Sequence, residues 1–298
     1  MVKWRQKRRA RINALKITAK RFPNLNINEL LKFHFVFDDF FFENLSDIKI
    51  YDNVFEAIKN EILYKFDEFI FDLNSDEKLA LMKFAKSDRK KYGLNKIFPR
   101  YKSQKIVNDL LNKNYIILEK TREKKPTPKH PKEKLPRHLR RYVMHDKIHF
   151  KSNFLRFWFR FVEPNLTLLK RNKFDEVLEK IKCDFDNYSS LGFETLSCEL
   201  LKKRLDLKEV EIYSFWTKEF EIDIFAKLNG FFIVGEVKYK ERKVCKNILN
   251  LINLKCQKLG ILPHIVALFS KSGFSKELIN SKSKNLLLFE LNDFKDLV

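Results

Sequence analysis

Hydrophobic spacing in the last third of the chain switches repeatedly between helical and strand periodicity. Residues 187–205 carry apolar side chains three and four positions apart, which is typical of a helix with one buried face. Short apolar strands, a helix, a strand, a short helix and a last strand follow, at residues 210–215, 220–226, 231–239, 243–259, 264–269, 273–280 and 286–291. Leu228-Asn229-Gly230 supplies the turn that a hairpin needs between the second and third strands. This order predicts an α/β domain with a mixed sheet over residues 187–298.

A second pattern covers residues 75–150. Helices are predicted from Ser75 and over residues 101–113, and a short strand over residues 115–118. A basic, proline-containing segment over residues 121–140 fits neither a helix nor a central strand, and a second strand is predicted over 141–150. Helix, turn, helix, strand, basic loop and strand together predict a winged helix-turn-helix whose recognition helix is 101–113. The alternative is a helical subdomain with a disordered basic loop.

The remaining segments read as helical. Residues 1–74 begin with a basic helix or arm over 1–22, and an acidic, Phe-rich region follows. Within that region, residues 52–71 fit an amphipathic helix whose apolar face packs into a core. Residues 151–186 are predicted to be connecting helices, one of them at 166–182. The whole chain is therefore expected to be α+β, with helices ahead of the sheet.

The aromatic stretch Asn153–Val162 opens these connecting helices. Its Arg156 and Arg160 lie four positions apart among the rings, an arrangement that can stack on single-stranded bases. A buried helix between domains is the commoner outcome for such a stretch, so burial is the expectation.

The composition adds a strong positive charge. The 298 residues hold 61 Lys and Arg against 39 Asp and Glu, a formal net charge of +22. Residues 1–21 and 121–147 are basic, whereas residues 22–80 are acidic. Clustered charge of this kind predicts docking surfaces for a polyanion, most often nucleic acid. Two alternatives are a solvated basic surface and pairing of the acidic stretch with a basic stretch inside the fold.

The predicted nucleic-acid contacts lie on the recognition helix and in the basic loop. They are Lys102, Gln104, Lys105, Lys124, Lys125, Arg137, Arg140 and Arg141.

Composition also excludes several classes. With 44% hydrophobic residues and 30 Phe, the chain can build a core and is not wholly disordered. It has no apolar run long enough for a membrane span and no secretory signal, so no membrane association is expected. Four scattered cysteines indicate reduced thiols in a cytoplasmic protein. The four histidines between residues 130 and 149 have no cysteine nearby, and a zinc site is not expected there.

Ionisable residues interrupt two otherwise apolar strands of the predicted sheet. Asp223 lies within Glu221-Ile-Asp-Ile224, and Glu236 and Lys238 lie within Gly235-Glu-Val-Lys238. Glu236 and Lys238 share one face because strands have a period of two, and the hairpin brings Asp223 beside Glu236. Two neighbouring carboxylates repel each other unless a proton or a metal resolves the conflict. Their oxygen atoms suit Mg²⁺ or Mn²⁺.

The other groups of this predicted site have supporting roles. Lys238 would orient a metal-activated water, and Glu194 on the preceding helix could reach the same edge as a third carboxylate. Solvent-facing carboxylates with an ordinary surface salt bridge are the alternative.

These residues resemble the active-site signature of the PD-(D/E)XK nuclease superfamily, and the predicted αβββαβ order resembles its restriction-endonuclease-like core. More narrowly, residues from about 75 to 298 resemble the C-terminal winged-helix and nuclease-like part of archaeal-type ATPases. The matching phrases are Asn153–Asn165, Phe193-Glu194, Glu221–Ile224, Gly235–Lys238 and Leu251–Lys255.

The resemblance implies metal-dependent cleavage of a phosphodiester, and the substrate is expected to be DNA. It implies that Asp223, Glu236 and Val237 hold Mg²⁺ or Mn²⁺, that Lys238 acts at the water, and that Glu194 supports them. The alternatives are a DNA-binding or regulatory protein with an inactive nuclease fold, and a subunit that pairs with a separate ATPase through residues 22–72. A homodimer would suit the cutting of two strands.

This chain departs from the family pattern in two ways. It has no G-x-x-x-x-G-K-[ST] sequence, so ATP hydrolysis by this polypeptide is not expected. The proline expected ahead of Asp223 is also absent.

Overall fold

The structure is a computed structural model. It describes residues 12–37, 49–86, 89–125, 127–128, 130, 132–140 and 142–298. The first half of the predicted basic arm and the predicted contact Arg141 lie outside the described residues.

The N-terminal region is helical where it is described. Its helices are α1 (Ile12–Arg21), α2 (Ile27–Phe37) and α3 (Val54–Ile58). The long helix predicted over residues 52–71 is wrong in length, because α3 continues only through a π turn, Lys59–Leu63, and a 3₁₀ turn, Phe66–Glu68. Its apolar stripe still enters the core. Extended chain carries Phe69 and Phe71 to the ring of Trp158, at centroid distances of 5.1 Å each, and this packing replaces the last helical turns.

Residues 75–150 form three α-helices, the last of a single turn, and a small sheet. The elements are α4 (Ser75–Lys86), α5 (Arg100–Asn112), β1 (Ile116–Glu119), α6 (Arg137–Arg140) and β2 (Lys147–Phe150), and β1 and β2 pair antiparallel. The second strand is shorter than the predicted 141–150, because its four residues pair one for one with β1. The predicted non-helical segment 121–140 contains the single-turn α6. This helix starts directly after Pro136, a place where proline is tolerated.

The connecting region leads into one long helix. Its elements are α7 (Asn153–Phe157), α8 (Leu166–Leu169) and α9 (Phe174–Arg204). The prediction of separate helices at 166–182 and 187–205 is wrong, because α9 runs unbroken through residues 183–186. Asp184 accepts from Arg160 Nε at 2.7 Å and Asp186 accepts from Lys271 Nζ at 2.8 Å. Partners from other segments therefore pair with both carboxylates of this part of the helix.

The larger sheet confirms the predicted α/β order. Its strands are β3 (Tyr213–Trp216), β4 (Glu221–Leu228), β5 (Phe231–Lys238), β6 (Ile265–Ser270) and β7 (Leu286–Glu290), with α10 (Lys246–Leu259) and α11 (Lys276–Asn280) in the crossovers. The strand order is β3-β4-β5-β6-β7. Strand β4 pairs antiparallel with both β3 and β5, whereas β6 pairs parallel with both β5 and β7. The chain is thus α+β with a mixed sheet, as expected.

One hydrophobic cluster joins the N-terminal helices to the sheet. It reaches from Leu15 to Leu297 and includes the aromatic stretch 153–162, formed by α7 and the π turn Trp158–Val162 that follows it, where Phe157 and Phe159 are fully buried. Burial of that stretch, rather than exposure for base stacking, is confirmed. No helix in the described part of the chain is long and apolar enough to cross a membrane.

The contact between α2 and α9 depends on a glycine. A Cβ on Gly192 would lie 2.4 Å from Cδ1 of the buried Phe35 ring. We expect Gly192→Ala to lower the free energy of unfolding by about 1–3 kcal/mol, because the ring must shift in a filled core. Gly93→Ala is the matched control, since its Cβ would meet no described atom within 4 Å. Urea denaturation measures both variants, and equal midpoints would contradict the packing.

Candidate metal centre

The hairpin between β4 and β5 places two of the predicted site residues near each other. Asn229 and Gly230 both have positive φ, 48° and 84°, as a tight two-residue turn requires. The resulting register sets Ile224 opposite Gly235, so Asp223 and Glu236 are the next residues along the two strands. Gly235 is needed in this strand because a Cβ there would lie 2.4 Å from the carbonyl oxygen of Ala267.

An irregularity in β4 gives Asp223 its position. Phe215 pairs with Ile222 and Tyr213 pairs with Phe225, so β4 takes three steps where β3 takes two. A bulge of this kind re-aims a side chain. Asp223 Oδ2 accepts a hydrogen bond of 2.9 Å from the backbone N–H of Val237, which ties the carboxylate to β5.

Three carboxylates converge at this point. Single oxygen atoms of Glu194, Glu221 and Asp223 all lie within 4.8 Å of one another. Glu194 comes from α9, and the other two come from β4. The sequence argument anticipated Glu194 and Asp223 but assigned no role to Glu221. The available signal was the spacing of Glu221 two residues before Asp223 on one strand.

Glu236 lies beside this cluster but is held by two lysines. Its Oε1 accepts from Lys238 Nζ at 2.7 Å, and its Oε2 accepts from Lys255 Nζ at 2.7 Å. Glu236 and Lys255 are both buried. The structure therefore brings Glu236 and Lys238 together as predicted and adds Lys255 from α10. Sequence reasoning missed Lys255, although its position three residues after the buried Ile252 places it on the inward face of that helix.

The enclosed carboxylates have perturbed acidity. Burial, reinforced by the charge of Asp223, raises the pKa of Glu194 to about 8. Burial and the charge of Glu236 raise the pKa of Asp223 to about 6. Burial would also raise the pKa of Glu221, but its ion pair with Lys147 outweighs burial and lowers it. Glu194 and Asp223 are thus the two groups for which a proton or a cation is most favourable.

The donor set fits a hard divalent cation. All three converging groups offer oxygen, which Mg²⁺ and Mn²⁺ prefer. Ligand oxygens about 2.1 Å from Mg²⁺ lie no more than about 4.2 Å apart, which is compatible with oxygens that lie within 4.8 Å of one another. A cation would also relieve the repulsion between Glu194 and Asp223.

The predicted nucleic-acid contacts on α5 are partly engaged within the chain. Lys102 Nζ lies 2.7 Å from Asp76 Oδ2 and 4.9 Å from the centroid of the Phe98 ring. Gln104 donates to Asn108 Oδ1 at 2.9 Å, and Lys105 is exposed. The loop residues Lys124, Lys125, Arg137 and Arg140 are exposed as well.

Part of the acidic stretch pairs inside the fold, with lysines of α5 and its C-terminal end rather than with either of the basic stretches. Lys102 bonds Asp76, and Lys113 Nζ lies 3.0 Å from Glu77. The predicted ATPase-binding stretch, residues 22–72, also contributes to the chain's own core. Leu31, Phe33 and Ile62 are completely buried there, whereas Ile50 and Ile70 are 69% and 61% exposed.

The raised acidity of Glu194 predicts how stability depends on pH. The folded chain keeps a proton that an unfolded glutamate releases near pH ~4.3, so stability falls as pH rises from about 4 to about 8. We expect Glu194→Gln, in chelator-treated buffer, to flatten this fall and to be more stable than the wild type above that range. The measurement is urea denaturation across the pH series. Glu179→Gln on the same helix, whose side chain is 65% exposed, should keep the wild-type slope. An unchanged slope in Glu194→Gln would contradict the assignment.

Comparison with known proteins places the site within a matched region. Residues 158–248 match the family DUF234, described as archaeal and bacterial proteins of unknown function. This span includes Glu194, Glu221, Asp223, Glu236 and Lys238. An uncharacterized protein of Methanocaldococcus jannaschii is 32% identical over 162 residues, which cover 50% of this chain and 35% of that relative. The chain is therefore similar to part of a longer protein, and the core of the candidate site lies within the stretch matched by the family.

Proposed function

We propose that the protein is a metal-dependent nuclease that cleaves phosphodiester bonds, with DNA as the substrate and Mg²⁺ or Mn²⁺ as the cofactor. The observation that carries the proposal is the convergence of Glu194, Glu221 and Asp223 within 4.8 Å, next to the Glu236–Lys238 pair. The resemblance of these strands to PD-(D/E)XK nucleases supports the same conclusion. The four free cysteines support placement of the protein in the cytoplasm.

Each residue has a distinct task in this proposal. Glu194 and Asp223 hold the cation, which when bound polarises a phosphoryl oxygen and acidifies a water. Lys238 remains charged, because Glu236 and Asp223 raise its pKa even though burial alone would lower it. Its ammonium group can therefore orient the water and offset negative charge that develops on the phosphate. Lys255 fixes the position of Glu236 through its 2.7 Å contact with Oε2.

A second candidate is a DNA-binding protein with an inactive nuclease fold. It is favoured by the ion pairs, because Lys238 and Lys255 hold both oxygens of Glu236, while Lys147 pairs with Glu221. These contacts compete with a metal for two of the carboxylates. Under this alternative, DNA affinity falls steeply with salt and does not depend on Asp223.

Mn²⁺ titration by calorimetry separates the two functions. We expect the wild type to bind Mn²⁺ and Asp223→Asn to bind it ~100-fold more weakly, since the negative charge of a ligand is lost without a change in shape. Cleavage of linear, supercoiled and branched DNA in Mg²⁺ should disappear in the same variant. Glu219→Gln is the matched control, because this acid just ahead of β4 is 69% exposed.

Some nuclease sites bind metal only when DNA is present, so the Mn²⁺ titration is repeated with a DNA duplex. A folded wild type that binds no Mn²⁺ in either titration, and cuts none of the three substrates, would overturn the nuclease proposal. Salt-sensitive DNA binding that is unchanged in Asp223→Asn would then support the second candidate.

A further inference from the structure

Cations reach the carboxylate cluster from the small β1–β2 sheet as well as from the large sheet. Lys147 of β2 has a side chain only 3% exposed, and it forms an ion pair with Glu221. Its Nζ also lies 4.5 Å from the centroid of the Trp216 ring. A lysine this buried is rare without a charged partner. The face of β2 that carries Lys147 is therefore turned toward the carboxylates.

Arg89 is attached to the same strand. Its carbonyl accepts a 2.7 Å hydrogen bond from the N–H of Ile148, and the adjacent Lys90 forms an antiparallel bridge with Lys147. The chain around Arg89 thus extends the small sheet along the edge of β2. Arg89 itself has a φ of 60°, a left-handed conformation that is uncommon for any residue other than glycine. Such backbone strain occurs preferentially at binding and catalytic sites.

A chain of hydrogen bonds fixes the Arg89 guanidinium. Its Nη1 lies 3.0 Å from His149 Nδ1, and His149 Nε2 lies 2.6 Å from Glu119 Oε2. Arginine only donates, so Nδ1 must accept, and the ring proton on Nε2 is the one donated to Glu119. Lys147 and His149 share one face of β2, and Glu119 is paired with Lys147 across the sheet. This side of the small sheet therefore carries two oriented cations, the ammonium group of Lys147 and the Arg89 guanidinium held by His149.

Arg89 lies on the carboxylate side of the small sheet. Lys147, which pairs with Glu221, and His149, which holds the Arg89 guanidinium, are two residues apart on one face of β2. Among the described residues, His149 is the side-chain hydrogen-bond partner of Arg89, and this contact engages Nη1 alone. The guanidinium, with five N–H donors, keeps donors for an anion.

We propose that Arg89 binds the phosphate of a nucleic acid at the carboxylate cluster, and that His149 and Glu119 are the residues that position it. A guanidinium can hold two phosphate oxygens with parallel N–H donors, which a lysine cannot do. The inference rests on the proposed function, because it takes the carboxylate cluster to be the place where the phosphodiester lies. It adds a substrate-binding residue from outside the large sheet.

The test compares two arginines in two titrations. Binding of a fluorescein-labelled DNA duplex is measured by anisotropy in chelator-treated buffer, and Mn²⁺ binding is measured by calorimetry without DNA. We expect Arg89→Ala to weaken duplex binding about tenfold and to strengthen Mn²⁺ binding, because a cation that repels the metal has been removed. Arg171→Ala, at an exposed turn before α9, removes the same charge and should change either affinity by no more than about twofold.

Two further variants test the positioning role. Arg89→Lys keeps the charge without the paired donors, so it should recover only part of the duplex affinity. His149→Leu removes the acceptor at Nδ1 and should weaken duplex binding although Arg89 is present. His149→Asn, which retains an acceptor close to that position, should restore most of the affinity.

Several results would overturn the inference. Equal effects of Arg89→Ala and Arg171→Ala on duplex binding would remove the special role of Arg89. Weaker binding of both duplex and Mn²⁺ in Arg89→Ala would indicate a purely structural role. A wild type without affinity for the duplex would also overturn the inference, because there would be no phosphate binding for Arg89 to support. By contrast, a wild type that binds the duplex but neither binds Mn²⁺ nor cuts DNA overturns only the nuclease proposal, since the arginine comparison in chelator-treated buffer is unaffected.

Discussion

The convergence of four carboxylates, Glu194, Glu221, Asp223 and Glu236, around β4 and β5 is the physical constraint on which this structure depends. Enclosed like charges are tolerated only when protons, cations or ion pairs compensate them. The four carboxylates are compensated in two ways. Lysines form ion pairs with Glu236 and Glu221, whereas Glu194 and Asp223 lie close to each other and each has a raised pKa. The second pair is the one at which we propose that a metal binds.

The compensating cations come from separate parts of the chain. Lys255 lies on a crossover helix of the large sheet, and Lys147 lies on the small sheet. The small sheet must therefore dock firmly against β3 and β4. Trp216 assists this docking by donating from Nε1 to the carbonyl of His145 at 2.6 Å. Arg122 adds a second contact, since its guanidinium lies 3.9 Å from the centroid of the Tyr213 ring. The site is thus built across two sheets, and its electrostatics link them.

The local pattern of apolar and turn residues accounts for the features of the fold that could be predicted from the sequence. The order of helices and strands after residue 187 follows from apolar periodicity, and the turn at Asn229-Gly230 fixes the register that sets Asp223 near Glu236. Patterns failed where long-range contacts override them. The sequence pattern predicted a break between two helices at residues 183–186, yet α9 is continuous there, and Arg160 and Lys271 pair with Asp184 and Asp186.

The sequence by itself determined the α+β class, the mixed sheet and the strands that carry Asp223, Glu236 and Lys238, because these depend on periodicity and turn chemistry between close neighbours. Only the tertiary structure decided that Glu221 joins the cluster, that Lys255 holds Glu236, and that Lys147 approaches from the small sheet. The physical reason is distance along the chain. Partners separated by tens of residues meet through packing and a bulge in β4, and no local spacing encodes either.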